Sequence, residues 1–206
     1  MSLNLRYMRA PDIVPVVEID RVAFSTPWSA RSYAYEISES SYSHMVVLEE
    51  TAQHAAERGW RRELRRWFRN HKDAPPPMIV GYGGLWNIVD EAHISTIATH
   101  PEHRGKGYGE LLLAAMVQRA INLEARYVVL EVRVSNLTAQ NLYHKYDFVI
   151  VDTKRNYYRD DNEDAYDMRL DLENPDILQR FAERFVSVQK RLPFNDAYTS
   201  GERPRP

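Results

Sequence analysis

Arg104-Gly105-Lys106-Gly107-Tyr108-Gly109 joins an alternating run, Glu91 to Thr99, to a leucine-rich one that begins Leu111-Leu112. The alternating run reads as a strand and the second as a helix over about Gly107 to Glu124, with Leu111, Leu112, Ala115, Met116, Arg119 and Ala120 on its pattern. Glycine at every second position lets the backbone turn sharply and approach a ligand closely. The amides then point outward at a helix N-terminus, where the dipole favours an anion, and Arg104 and Lys106 add positive charge. A phosphate-bearing ligand suits such a loop; a Gly-rich basic surface turn that binds nothing is the alternative. A Walker A loop needs G-x-x-x-x-G-K-[ST], which does not occur. The spacing Gly105, Gly107, Gly109, in mid-chain, is not a dinucleotide fingerprint.

The elements outward from this loop alternate. Leu3 to Met8 reads as a first strand. Asp12 can cap a helix through about Ala23, whose apolar face is Ile13, Val16, Val17 and Ile19. Phe24 to Trp28 is a turn, and Ser29 caps a second helix with Tyr33 and Ile37 inward. Met45 to Leu48, Met78 to Trp86 and Glu91 to Thr99 are strands, with a turn at Asn87 to Asp90. Beyond the central helix come a strand at Tyr127 to Val134, a helix at Asn136 to Tyr146, and strands at Phe148 to Thr153 and Ala165 to Leu172. Asn174-Pro175 starts a last helix, with Pro at its first position. Ile177, Phe181, Phe185, Val188 and Leu192 make one apolar stripe along it. The final TSGERPRP reads as disordered. This order predicts an α/β (α+β) domain over residues 1–172, a mixed, mostly antiparallel sheet flanked by helices, with a C-terminal helix and tail over 173–206.

Residues 51–77 interrupt the pattern. Between Glu57 and Asp73 stand seven Lys or Arg and three acidic residues, a local charge of +4. Trp60, Leu64, Trp67 and Phe68 recur at helical spacing. The segment reads as an amphipathic basic insert between two strands, ended by Pro75-Pro76-Pro77. Its charge suits RNA or another anionic partner, but a charge run is more often exposed surface, and that reading is preferred.

Composition narrows the class. The 206 residues are 44% hydrophobic and 27% charged, with a formal net charge of -2. That is ordinary for a soluble domain and wrong for a general polyanion binder. No cysteine is present, which excludes disulfides, thiolate nucleophiles and Cys-ligated metal. The N-terminal residues hold no signal-peptide core, and no apolar run reaches membrane-spanning length, so a cytoplasmic protein without a membrane is expected. His93, His100 and His103 do not share a helical face, and no metal is expected.

Ile97-Ala98-Thr99-His100-Pro101-Glu102-His103 followed by the glycine loop and Glu110-Leu111-Leu112 resembles motif A of the GNAT acetyltransferases. Leu130-Glu131-Val132-Arg133-Val134-Ser135-Asn136 with Asn141-Leu142-Tyr143 is similar to the L-E-V-R-x-S-N…A-x-x-L-Y pattern of RimI-type N-terminal acetyltransferases. Arg155-Asn156-Tyr157-Tyr158 with Glu163-Asp164-Ala165, and Phe24 to Ser29, resemble two further segments of that subfamily. The matches fall in order across residues 24–170. Two departures stand out: Ile97-Ala98-Thr99 replaces I-A-V, and Tyr146-Asp147-Phe148 replaces L-G-F, which implies a different exit from that helix. The 51–77 insert and the 173–206 segment are additions to the usual chain.

The resemblance implies the GNAT fold, whose fourth and fifth strands splay to admit the pantetheine of acetyl-CoA. The pyrophosphate would lie on Arg104, Gly105, Lys106, Gly107, Tyr108 and Gly109, the pantetheine against Ile97, Ala98 and Thr99, and Asn136 would touch the cofactor while capping its helix. The reaction is attack of an amine on a thioester. An α-amine has a reference pKa of about 7.7–8.0, so a modest base suffices, and the resemblance assigns Glu131 to it, directly or through a water. Tyr143, with a reference pKa of about 10, would protonate the departing thiolate. Without the motif, Glu131 reads as a solvent-facing strand residue and Tyr143 as a core aromatic. Trp28, Tyr157 and Tyr158 would line the acceptor groove, although paired aromatics are as often packing. The acceptor implied is a protein N-terminus, with a ribosomal protein beginning in Ala as the expectation. A lysine or small amine, or an acyl-CoA-binding module without catalysis, are the alternatives.

Overall fold

A computed structural model describes residues 2–51 and 78–204. The basic insert after Thr51 therefore lies outside the described residues. Among those described, eight strands and five helices follow in the order β1 (Ser2–Tyr7), α1 (Ile13–Ala23), α2 (Ala30–Ser38), β2 (Ser43–Thr51), β3 (Met78–Ile88), β4 (Glu91–Thr99), α3 (Tyr108–Asn122), β5 (Tyr127–Arg133), α4 (Leu137–Lys145), β6 (Val149–Tyr158), β7 (Glu163–Asp171), α5 (Pro175–Arg191) and β8 (Phe194–Ala197). They build one sheet in the order β6-β7-β5-β4-β3-β2-β1-β8. Pairing is antiparallel except between β4 and β5 and between β1 and β8.

Helices cover both faces. The residues of α3 from Leu111 to Val117 are all fully buried, as a helix apolar on every side must be. It lies close on β3 because that strand offers glycines there. A Cβ on Gly83 would come within 2.8 Å of the Met116 sulfur, and one on Gly81 within 2.9 Å of Leu112 Cδ1. Helices α4 and α5 share this face, with Tyr143, Phe181, Phe185 and Val188 in the same core. On the other face α1 and α2 pack Val16, Val17, Ile19 and Tyr33 against Val47, Tyr82 and Ala98.

The expected caps at Ser29, Asn136 and Asn174 are present, each side-chain oxygen accepting a backbone N–H of the first turn. Asp12 is different. It stands at the start of α1 but makes no cap bond. Its carboxylate instead accepts both terminal nitrogens of Arg6, at 2.7 and 3.0 Å, and the Arg9 amide at 2.7 Å. A bidentate charge-assisted pair outweighs a single cap bond.

Two boundary expectations change. Strand β6 continues to Tyr158 and β7 begins at Glu163, so the hairpin is longer than its apolar residues suggest. The tail is also not disordered over residues 199–204. Strand β8 adds to the β1 edge, pairing Leu3 with Phe194 and Arg6 with Ala197. Tyr198 is fully buried, and its hydroxyl donates to the His44 carbonyl at 3.0 Å. Arg119 donates to the carbonyls of Thr199 and Gly201 at 3.1 and 3.0 Å. The composition that reads as flexible is held by a guanidinium from another element.

The exit from α4 is a further correction. Asp147 occupies the position where the resembled pattern has glycine, yet its φ is +64°, the left-handed conformation glycine adopts there. Arg180 and Arg184 of α5 both pair with its carboxylate. The exit is the usual one, made by an aspartate tied to the added helix.

Because the C-terminal strap is part of the core, Tyr198→Ala is expected to cost about 3 kcal/mol or more, read from the urea midpoint. A loss below about 1 kcal/mol would show that the strap is dispensable.

Candidate active site

Strands β4 and β5 pair only through Glu91–Tyr127, Ala92–Val128 and His93–Val129. Beyond that point they diverge. The cause is visible in β4, where Gly84 faces Thr96 and Leu85 faces Ile94, leaving Ser95 as an extra residue. A bulge of this kind bends the strand that carries it. The divergence opens a groove of about 610 Å³ lined on the β4 side by Ile94 to Ile97 and on the β5 side by Leu130 to Arg133.

Seven of the residues singled out in the sequence meet in this groove: Ile97, Glu131, Asn136, Tyr143, Trp28, Tyr157 and Tyr158. The others do not line it. Ala98 is buried toward α1 and α2. Thr99 ends β4 beside the glycine loop, with Oγ1 3.5 Å from where a Gly109 Cβ would sit. Residues Arg104 to Gly109 lie at the start of α3. There Gly105 and Gly107 have φ of +76° and +84°, which side chains beyond glycine adopt at a cost. Gly107 precedes α3 and supplies no side-chain cap, and Arg104, Gly105 and Lys106 are exposed. Among the described residues the first amides of α3 thus have no side-chain partner at this end, beside two cations. That arrangement fits a phosphate.

Glu131 alternates with the buried Leu130 and Val132, which face α3, so it projects to the α1 side. Its carboxylate is held at both oxygens. His93 Nε2 donates to Oε2 at 2.7 Å and Lys154 Nζ to Oε1 at 2.5 Å. Lys154 is itself 3.0 Å from Asp167. Burial raises the Glu131 carboxyl, but the hydrogen bonds from His93 and Lys154 outweigh it and bring it down to about 2. Glu131 is therefore a fixed anion at neutral pH.

Tyr143 projects from α4 into the core, 6% exposed, and still reaches the groove. Burial, reinforced by Tyr158, holds its hydroxyl well above the usual tyrosine range, so it stays protonated. Asn136 both caps α4, accepting the Ala139 amide at 3.1 Å, and faces the groove. Trp28 is fastened through its amide to Asp20 at 2.5 Å, and its ring stacks on Trp86 with centroids 6.1 Å apart. Asp20 is itself buried and also accepts the Tyr82 hydroxyl.

Sequence reasoning did not find His93, Lys154 or Asp20 as parts of this site. His93 reaches Glu131 only because β4 and β5, far apart in the chain, are neighbours. Lys154 arrives from β6 across β7. The only local signal is parity: His93 and Glu131 each alternate with core residues. Of the three histidines considered for a metal, His93 stands apart on Glu131, while His100 and His103 lie together with ring centroids 5.7 Å apart and His103 is 3.2 Å from Glu50. Among the described residues no three His, Asp or Glu side chains converge as a metal site, and no helix is long and apolar enough to cross a membrane.

Comparison with known proteins agrees with this geometry. The family model for the GNAT acetyltransferases matches residues 16–148. The chain is 36% identical over 161 residues to a Bacillus subtilis protein provisionally named ribosomal protein bS18-alanine N-acetyltransferase, covering 78% of this chain and 90% of that one. It is 30% identical over 167 residues to an N-alpha-acetyltransferase of Saccharolobus solfataricus, covering 80% and 90%. Among solved structures, the ribosomal-protein-S18-alanine N-acetyltransferase of Escherichia coli superposes with a TM-score of 0.64 at 23% identity, over 82% of this chain and 94% of that one. A splayed β4–β5 pair, a glycine loop opening α3, and a match across most of the chain have one reading: this chain belongs to the GNAT family of acetyltransferases.

Proposed function

We propose that this acetyltransferase moves the acetyl group of acetyl-CoA onto the α-amine of a protein N-terminus, with a ribosomal protein as acceptor. The observation that carries the reading is the groove beside the diverging strands, which Glu131 from β5 and Tyr143 from α4 both line. The relatives named for N-terminal and ribosomal-protein acetylation supply the acceptor class. In this reading Arg104 to Gly109 hold the pyrophosphate through loop amides and the α3 N-terminus, and Ile97, Ala98 and Thr99 lie along the pantetheine. Acetyl-CoA supplies the activated acetyl thioester. The amine enters from the opposite face, between Trp28, Tyr157 and Tyr158.

The charges define the chemistry. An α-ammonium, with a reference pKa of about 7.7–8.0, is drawn to the Glu131 anion and must lose a proton to attack. A carboxylate held at about 2 does not store that proton. It orients the amine and a water through which the proton leaves, so the water route is favoured over direct abstraction. Tyr143, kept protonated by burial, donates a hydrogen bond to the sulfur as the C–S bond breaks. Low polarity around it strengthens that bond.

The acceptor is tested by incubating the protein with acetyl-CoA and a panel of N-terminal peptides, lysine peptides and polyamines, then locating the acetyl group by mass spectrometry. Modification confined to lysine or polyamine overturns the N-terminal reading. Glu131→Gln and Tyr143→Phe are each expected to lower kcat/KM by about 10²-fold or more, while the KM for acetyl-CoA changes little. Activity within threefold of the parent would remove the residue from the mechanism.

Stability carries a separate signature of Glu131. Its carboxyl lies at about 2 in the fold against an ordinary 4.5. The stabilisation is complete above pH 4.5 and is lost as pH falls toward 2. The stability gap between the parent and Glu131→Gln should therefore narrow by about 1–3 kcal/mol across that window, measured by urea unfolding at several pH values. A gap that stays constant would contradict the ion-paired state.

A further inference from the structure

The amine side of the groove has two walls from distant parts of the chain. One is the loop from Phe24 to Trp28 between α1 and α2. The other is the β6–β7 hairpin, carrying Tyr157, Tyr158 and Arg159. One side chain touches both. Arg133 is the last residue of β5, two beyond Glu131, and so projects to the same face. Its Nη1 donates to Asp161 at 2.8 Å and Glu163 at 2.8 Å, and its Nη2 to Asp160 at 2.7 Å. Nη2 also donates to Ser25 Oγ at 3.1 Å, across 108 residues of chain. The guanidinium lies 3.9 Å from the centre of the Tyr158 ring.

The two ends of this arrangement differ in strength. On the hairpin side three carboxylates and a stacked ring hold the guanidinium, and such multidentate pairing fixes its plane. Among the described residues, its hydrogen-bond partner on the loop side is the Ser25 hydroxyl alone. We propose that Arg133 and Ser25 form a latch that sets the separation of the acceptor walls, making both positioning residues for the incoming amine. The proposal rests on the reading that this face receives the acceptor. Arg133 does not reach the glycine loop, so the latch acts on acceptor binding and not on the cofactor. Opening it leaves the loop fastened on this side through the Trp28 amide and Asp20, with the walls free to part.

The test is a comparison of steady-state constants for Ser25→Ala, Arg133→Lys and the double variant. Each single variant should raise the KM for the acceptor peptide about three- to tenfold, the worth of one hydrogen bond, with kcat and the KM for acetyl-CoA within twofold. The double variant should be no worse than Arg133→Lys alone, because both changes open the same contact. Ser25→Ala removes one exposed hydroxyl and keeps every hairpin contact, so it remains informative if Arg133→Lys is poorly folded. An acceptor KM within twofold in Ser25→Ala, an equal rise in the KM for acetyl-CoA, or simple additivity in the double variant would overturn the latch. The constants are measured on whichever amine the parent acetylates. A lysine or polyamine acceptor thus defeats the N-terminal reading while leaving the latch tested on its own terms.

Discussion

The structure depends on a sheet that is broken in its middle. Strands β4 and β5 are parallel and central, and parallel central strands usually pair along their length. Here they hold three residue pairs and then part at the Ser95 bulge. The backbone groups freed beyond that point lie in the groove, available to a ligand that can pair with them. The remaining six pairings and the helices on both faces hold the sheet together around the gap. A cleft through the centre of a domain is tolerable only with that support, because every group exposed along it is removed from the core.

Charge is concentrated at the fork of the gap. Glu131 stands where the strands have begun to diverge, and His93, the last paired residue of β4, reaches across to it. Lys154 and Asp167 continue the series through β6 and β7, so four strands hold one carboxylate. A buried anion without partners would take up a proton; this one has two donors and stays ionised. Under the proposed function the face that carries Glu131 would present a fixed negative charge to an ammonium group, while Arg104, Lys106 and the α3 N-terminus, outside the groove, would present positive charge to the cofactor's phosphates.

The C-terminal segment enters the same architecture. Helix α5 places Arg180 and Arg184 on Asp147, and Arg191 on Glu110 in the first turn of α3 at 2.7 Å. It thus braces both α3 and the exit of α4. An aspartate in the left-handed region is strained relative to glycine, by about 1 kcal/mol. Two guanidinium partners offset that cost, which links the departure from the L-G-F pattern to the presence of the extra helix.

Much of this was readable in order of residues. Periodicity located α3 and β5 to within two residues, because their apolar faces are set locally. Ser29, Asn136 and Asn174 act as caps, because a cap bond spans only two or three residues. The glycine loop and the Glu131 and Tyr143 segments carried the family. What failed were contacts between different elements. Asp12 looked like a cap until Arg6, on a strand, took its carboxylate. The tail from Thr199 looked disordered until Arg119 bound its carbonyls. His93 had no distinguishing neighbour in the chain, and its role exists only because β4 lies beside β5. By itself the sequence determined the elements, the loop chemistry and the family, since local sterics and hydrogen bonding over a few residues decide those. Only the tertiary structure decided the charge state of Glu131, the pairing of Arg133 with Asp160 and the order of the tail, since each depends on burial and on partners that chain folding alone brings within about 3 Å.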